Sequence, residues 1–557
     1  MTGLPRAVAE REARERGTGF AVWVGFAAMG LGMFMAILDI QVVVTSLPTI
    51  QRALDIAPDE MSWVQTAYLI AEVIAIPLTG LLTRMLSMRG LFVAAVLVFT
   101  LASIGCAASI GFGLLVAWRV LQGFAGGVLI PLVFSAVFLL FAPRQQAIAT
   151  TIAGALAVLA PTVGPLVGGW ITQTFSWHWL FLINVAPGMV AAVAAMPCLP
   201  AEASEPRLAA RLDWPSLLVM AIALAALEIA LKEAPKRGWS SAFVLGFFGL
   251  CIAGTVLFAR RTLAARLPVV HLAALADRDF AVGCWLSFVL GAGLYGSVYL
   301  MPVFLAFVRG HGPLEIGEIM LVTGAVQLIT SPIAVQLERR ADARLLTASG
   351  FALFALGLGL SAFETRLTDF DGMLLPQVVR GGAIMLCLLP PTRLALGHFP
   401  PERVTDASGL FNLMRNLGGA IAIAVIDTIV YGRAPSHVDQ LVDGLMRGDI
   451  AVARTIGLPE TLAAGIPASL IDPGAQAMIK PLVEKAGLVM AINEAWASLG
   501  LFTLLGLLVV PFVSGRRPRW LSGSPDIFET PSRSPRRIRP ERYGPKAGPW
   551  RHRSSRE

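Results

Sequence analysis

Along most of this chain the apolar residues do not form a stripe. They continue almost charge-free for roughly 20 residues at a time, then break at short segments rich in Arg, Pro or Gly. Each run is long enough to cross a bilayer as a helix, and the breaks predict helices near 20–47, 62–83, 90–109, 113–140, 147–172, 179–199 and 215–231. Seven more are expected near 242–259, 281–306, 315–336, 345–363, 372–396, 406–430 and 486–513. The fold class is therefore an all-α integral membrane protein with about 14 transmembrane helices.

The polar breaks also give an orientation. Alternate loops carry Arg84 and Arg89, Arg144, Arg207 and Arg211, Arg260, Arg261 and Arg266, Arg339, Arg340 and Arg344, then Arg393 and Arg403, whereas the intervening loops carry far fewer. By the positive-inside rule the Arg-rich set is cytoplasmic, and so are both termini, which requires an even number of spans. Thirteen would place the Arg-rich tail, Arg516 to Arg556, on the wrong side. No cleavable signal peptide is expected, because an Arg/Glu-rich segment precedes a first apolar run too long for one.

Composition agrees: 56% hydrophobic and 14% charged residues, with a mean hydropathy of +0.71, exclude an ordinary soluble domain. The net charge of +8 lies in short loops and the tail rather than on one helical face, so no nucleic-acid partner is expected. The five cysteines fall inside apolar spans without CxxC spacing and read as packing residues. No phosphate-binding loop, HExxH, GxSxG or His/Cys cluster is present in the sequence, so neither metal, cofactor nor enzymatic activity is expected. An ion gradient is then the expected energy source for active transport.

The expected domain plan is a cytoplasmic N-terminus (1–19), a six-helix bundle (20–199), a linker (200–214), two inserted helices (215–260) and a cytoplasmic loop (261–280). A second six-helix bundle (281–513) includes an outer loop at 432–485, in which Ala475 to Val489 has the period of a surface helix. The basic tail (514–557) is expected to be disordered. A weak repeat links helices four and twelve. Trp118-Arg119 leads to Gly126-Gly127 and Pro131, as Val379-Arg380 leads to Gly381-Gly382 and Pro390.

Charge within hydrocarbon costs about 2.5–3.5 kcal/mol on insertion scales, so each such residue demands a partner or a wet cavity. The set is Asp39, Glu72, Arg119, Glu228, Arg380, Arg415 and Asp427. With a rise of about 1.5 Å per residue, Asp39 lies about 13 Å and Arg119 about 10 Å below the outer ends of their helices. They are candidates for an ion pair broken by protonation, or for a permanent structural bridge. Glu72, midway along helix two, is a second proton-trading candidate; the alternative is a neutral carboxyl held by a hydroxyl or backbone partner. Glu228 and Asp427 are further coupling candidates in the outer halves of their helices. Pro161, Gly164, Pro165, Gly168 and Gly169 mark helix five as a hinge or tight seal. Trp63, Trp177, Trp179 and Trp239 fall at span ends, as interfacial anchors do.

These residues resemble the EmrB/QacA-type branch of the major facilitator superfamily, the 14-helix drug:proton antiporters. Leu38-Asp39 with Leu47-Pro48 matches the first-helix motif, and Gly80, Arg84 and Arg89 match the loop after helix two. Arg119, Gln122, Gly123 and Gly127 fit the helix-four motif. Gly164-Pro165-Leu166-Val167-Gly168-Gly169 is similar to the antiporter motif of helix five. Ile183-Asn184-Val185, Tyr299-Leu300-Met301-Pro302 and Ala407 to Asn412, with Arg415-Asn416 and Gly418-Gly419, continue the match. The chain departs from it at Arg84, where the wider superfamily usually has Asp, and at Gln41 and Thr45, where Thr and Asn are more usual.

The resemblance implies two six-helix bundles with two inserted helices, alternating access, and export of amphipathic compounds across the inner membrane in exchange for protons. It implies coupling roles for Asp39 and Arg119. In double-membraned bacteria it also implies a periplasmic adaptor protein and an outer-membrane channel as partners. Gln41, Gln122, Arg380, Asn412 and Arg415 are additional coupling or cavity candidates. Competing readings are a dedicated carrier of one metabolite, siderophore or peptide, a non-transporting scaffold or receptor, and a membrane-embedded enzyme. The scaffold predicts that neutralising Asp39 or Glu72 changes nothing, and the enzyme requires a catalytic cluster that the sequence lacks.

Overall fold

A computed structural model describes residues 19–55, 63–200, 204–205, 213–265, 268, 270–458 and 473–512. Among the described residues the regular structure is entirely helical. Thirteen helices are long and apolar enough to span a membrane, and a fourteenth qualifies when its two bent segments are counted as one span.

The spans are α1 (Phe20–Ala53), α2 (Trp63–Leu86), α3 (Met88–Ala107), α4 (Phe112–Leu140), α5 (Pro143–Thr174), α6 (Trp179–Cys198) and α7 (Trp214–Arg237). They continue as α8 (Ala242–Ala264), α9 (Arg278–Arg309), α10 (Pro313–Arg340), α11 (Ala343–Phe363), α12 (Phe370–Leu396), α13 (Pro401–Met446) and α14 (Pro473–Leu504). Their starts are written in local chemistry. Asp213, Ser241, Asp277 and Asp342 each accept a backbone N–H of the first turn of α7, α8, α9 and α11, and prolines open α5, α10 and α13.

One core is built from α1–α6, with Phe26, Phe92, Phe99, Phe134 and Phe181 fully enclosed. A second is built from α9–α14 around Phe304, Phe351, Phe354 and Trp496, joined by Ala155 of α5. The α7–α8 pair rests on the end of α2 through Met220, Phe258, Leu78 and Leu81. Most of α8 stays exposed, as a helix facing lipid must be.

Helix pairs approach closely where side chains are missing. Gly123 lies against the Tyr68 backbone and Gly127 against the Glu72 carbonyl, so α4 packs directly on the α2 main chain. Gly291 and Gly418 do the same between α9 and α13.

Two expectations need correction. The stretch expected as an outer loop at 432–485 is largely helical: α13 continues to Met446, a short helix spans Ile450–Ile456, and α14 already begins at Pro473. The periodic segment 475–489, expected as a surface helix, is helical and forms the first part of α14. Its period serves to pack Val483 and Ala486 against Leu441 and Ile456, a small core of its own. Trp177 is not an exposed anchor but is buried, stacked on His178 with ring centroids 3.9 Å apart. The expected N-terminal segment before residue 19 and the tail from 513 lie outside the described residues, as does most of the 200–214 linker.

Candidate functional site

Asp39 and Arg119 meet inside the first bundle. Arg119 Nη1 donates to Asp39 Oδ2 at 2.5 Å, and neither side chain has any exposed surface. Asp39 lies deeper from its helix end than expected, because α1 runs to Ala53 rather than ending near 47, yet the pair still forms.

What surrounds the pair is uncharged and nearly complete in its hydrogen bonding. Asp39 Oδ1 accepts from Asn184 Nδ2 at 2.7 Å and Gln122 Nε2 at 3.0 Å. Arg119 also donates to Gln122 Oε1 (2.8 Å), to the Val64 carbonyl (3.1 Å) and to Gln65 Oε1 (3.3 Å). Gln122 Nε2 reaches Ser103 Oγ at 2.8 Å, and the Cys106 thiol faces Gln122 Oε1. The guanidinium sits 4.3 Å from the Tyr68 ring centroid, and Tyr68 donates its hydroxyl to the Ala36 carbonyl. One carboxylate thereby ties together α1, α2, α3, α4 and α6. Asn184, Ser103, Gln65 and Tyr68 carry no charge and give no intramembrane charge signal; of these, only Asn184 belongs to a family motif.

Glu72 is elsewhere. It is buried in α2, beside Asn416 of α13, with Glu228 of α7 close enough to interact through charge. Asn416 Oδ1 in turn accepts from Tyr295 of α9 at 3.2 Å. Asp427 accepts from Tyr299 at 2.6 Å, one further step along the α9–α13 seam.

The loop motif after α2 joins the two halves. Arg84 pairs with Asp406 of α13 at 2.5 Å, Gly80 lies directly against the same Asp406, and His271 stands beside it. Arg89 reaches the Met196 carbonyl at 3.3 Å. Nearby, Ser408 donates to the Pro131 carbonyl at 2.8 Å and Asn412 to the Ser408 carbonyl at 2.9 Å.

Helix α5 bends by 42° between its Pro143–Pro161 and Val163–Thr174 segments. Proline removes a backbone donor and crowds the preceding turn, which accounts for the bend at Pro161 and Pro165. Gly164 packs on Gln41 of α1, Gly168 accepts from Thr172 through its carbonyl, and Gly169 is buried. In the second half, Arg380 lies 5.0 Å over the Trp496 ring and Arg415 5.2 Å from the Phe134 ring.

The Major Facilitator Superfamily model matches residues 29–423. The chain is 37% identical over 431 residues to the colistin resistance protein EmrB of Acinetobacter baumannii, covering 77% of this chain and 84% of that protein. The chain belongs to the Major Facilitator Superfamily, and to its EmrB-type transporters. It is 29% identical to the multidrug export protein EmrB of Escherichia coli, over 86% of this chain and 93% of that one. Among solved structures, the human organic anion transporter MFSD10 shares the fold, with a TM-score of 0.55 at 14% identity, covering 87% of this chain and 99% of its own. As an EmrB-type member of the superfamily, this chain is a multi-pass membrane protein and a secondary transporter.

Proposed function

We propose that this transporter exports small amphipathic compounds across the inner membrane by alternating access, driven by protons entering the cytoplasm. Both termini then lie on the cytoplasmic side, as the arginine distribution favours. The observation that carries the reading is the enclosed Asp39–Arg119 pair and its ring of uncharged donors and acceptors.

A buried ion pair contributes less to stability than apolar residues of the same volume, whereas removing the charge of one partner is strongly destabilising. That asymmetry suits a switch. When Asp39 is ionised, Arg119 holds α4 on α1, and Asn184 and Gln122 fill the remaining carboxylate positions. A proton on Asp39 cancels the charge that Arg119 answers, so five helices lose their common centre at once. The first bundle then favours a second arrangement, in which substrate and proton exchange sides. Glu72, on the seam between the halves, is placed to sense the same transition through Asn416. The α5 bend supplies the hinge, and the Arg84–Asp406 contact holds the cytoplasmic ends of the halves together while the opposite side is open. A periplasmic adaptor protein and outer-membrane channel complete the path for compounds of this kind.

Inverted vesicles with an imposed pH gradient test this reading. Gradient-dependent accumulation of ethidium or another lipophilic dye by wild type, lost in Asp39→Asn, is the expected result. A narrow profile confined to one metabolite would instead favour a dedicated carrier. Wild-type-level accumulation by Asp39→Asn would remove the proposed coupling role.

A further inference from the structure

The second half contains a charge that the proposed coupling mechanism does not use. Arg415 of α13 is 5% exposed, yet its Nε and Nη2 have no hydrogen-bond partner. No carboxylate pairs with it among the described residues. Its guanidinium is held by rings alone, Phe411 on its own helix and Phe134 of α4 across the seam between the halves. It lines a cavity shared by both bundles, with Tyr295, Asn412 and Asn416 as polar neighbours and Ile37, Ile130 and Leu388 among the apolar ones.

Buried guanidinium N–H groups are nearly always satisfied, and an unsatisfied pair is costly, so this one calls for a partner outside the described protein atoms. The two orphaned groups also define what fits. Nε–H and Nη2–H lie on the same edge of the guanidinium and point in parallel, the fork that accepts both oxygens of a carboxylate at once. The apolar lining fits the body of an amphipath, and the stacked rings fix the plane of the fork.

Arg380 of α12, the repeat counterpart of Arg119, lines an adjoining cavity that shares Leu294 and Ile384 with the first. It is 4% exposed, and its Nε and Nη1 are likewise without partners. Arg119 is paired with its own aspartate, whereas no ion pair to Arg380 is present among the described residues and Glu364 is its acidic neighbour. Two buried arginines of the second half, Arg415 and Arg380, thus line two adjoining cavities. In this state the cavity holds only about 20 Å³, room for a water molecule, so a larger ligand enters when the halves part.

We propose that Arg415 is the ligand-recognition residue of a carboxylate-binding site in this central cavity, which takes amphipathic monoanions with an apolar body. The inference rests on the exporter reading for its biological meaning, but its binding chemistry is separable. A ligand carboxylate on Arg415 lies next to Asn416, the neighbour of Glu72, which places ligand charge beside a candidate proton site.

Equilibrium binding to the full-length protein in nanodiscs tests the proposal without requiring transport. The probes are a fluorescent dodecanoate and its methyl ester, which share one apolar body and differ in charge. Wild type is expected to bind the acid at least about tenfold more tightly than the ester, the size expected of one charge-assisted hydrogen-bond pair. Arg415→Gln should reduce that ratio to about one by weakening binding of the acid far more than that of the ester, and Arg415→Lys should keep part of it. Melting curves of both variants identify misfolding, and the lysine variant keeps the test decisive if the glutamine variant fails to fold. An acid-to-ester ratio near one in wild type, or an undiminished ratio in a folded Arg415→Gln or Arg415→Lys, overturns the site. Either result can coexist with proton-driven dye export by the same preparation, so failure of this site and failure of the exporter reading are distinguishable.

Discussion

Arg119 is bound to four different acceptors on three helices, and it uses all three nitrogens of its guanidinium to reach them. Lysine offers three donors on a point charge and cannot reproduce that spread. Arg119→Lys should therefore lose transport although charge is conserved, and Asp39→Ala should lower the unfolding free energy by about 3–5 kcal/mol, the cost of stranding a buried charge. Calorimetric melting beside dye transport separates the two effects. Wild-type transport by Arg119→Lys would show that only the charge matters.

Glu364 gives a pH-dependent expectation at the same scale. It lies just beyond α11, is buried, and is pushed up to about 8 by desolvation, partly offset by Arg380. Its folded form therefore holds a proton that the unfolded chain releases near 4.5, so its contribution to stability is complete below about 4.5 and is lost as pH rises through about 8. Glu364→Gln should flatten the decline in melting temperature between pH 5 and about 9. An identical decline in both proteins would contradict the assignment.

Individual residues are legible in the sequence where they carry charge. Asp39 and Arg119 stand out because hydrocarbon does not tolerate them unpaired, whereas Asn184, Ser103 and Gln65 are uncharged and occur in any helix. The missing partners of Arg415 belong to three-dimensional packing and leave no trace in spacing.

At the scale of elements, the apolar runs locate the spans because each backbone segment in lipid must satisfy its own hydrogen bonds as a helix. The ends are less legible. Nothing in hydropathy stops α13 at the membrane surface, and it continues to Met446 because α14 comes up to pack beside it, with Arg433 bound to Glu494. Close contacts between helices make a sharper forecast. Gly123 faces the Tyr68 backbone with no space for another carbon, so Gly123→Val should wedge α4 from α2 and cost about 1–3 kcal/mol in stability. Unchanged melting would show that the two helices can separate freely there.

For the whole molecule, the halves pack through α5 on α10, where Gly317 lies against Leu166, and are tied by polar contacts at Asp406, where Arg84 of α2 and His271 converge, and at Ser408 on the Pro131 carbonyl. In a background with the native cysteines replaced, Ser408→Cys should be shielded from a maleimide, and adding Arg84→Ala should speed its labelling several-fold. Equal labelling rates would show that this ion pair does not hold the halves together.

The central claim is that Asp39 carries the proton exchanged for substrate. Its most direct measurement is the pH gradient of inverted vesicles, followed with a quenched acridine dye while a panel of amphipathic compounds is added. Wild type should give dequenching with transported compounds, as protons leave in exchange, and Asp39→Asn should give none at a temperature where melting curves show that the less stable variant is still folded. Substrate-evoked dequenching in Asp39→Asn equal to wild type would contradict the account.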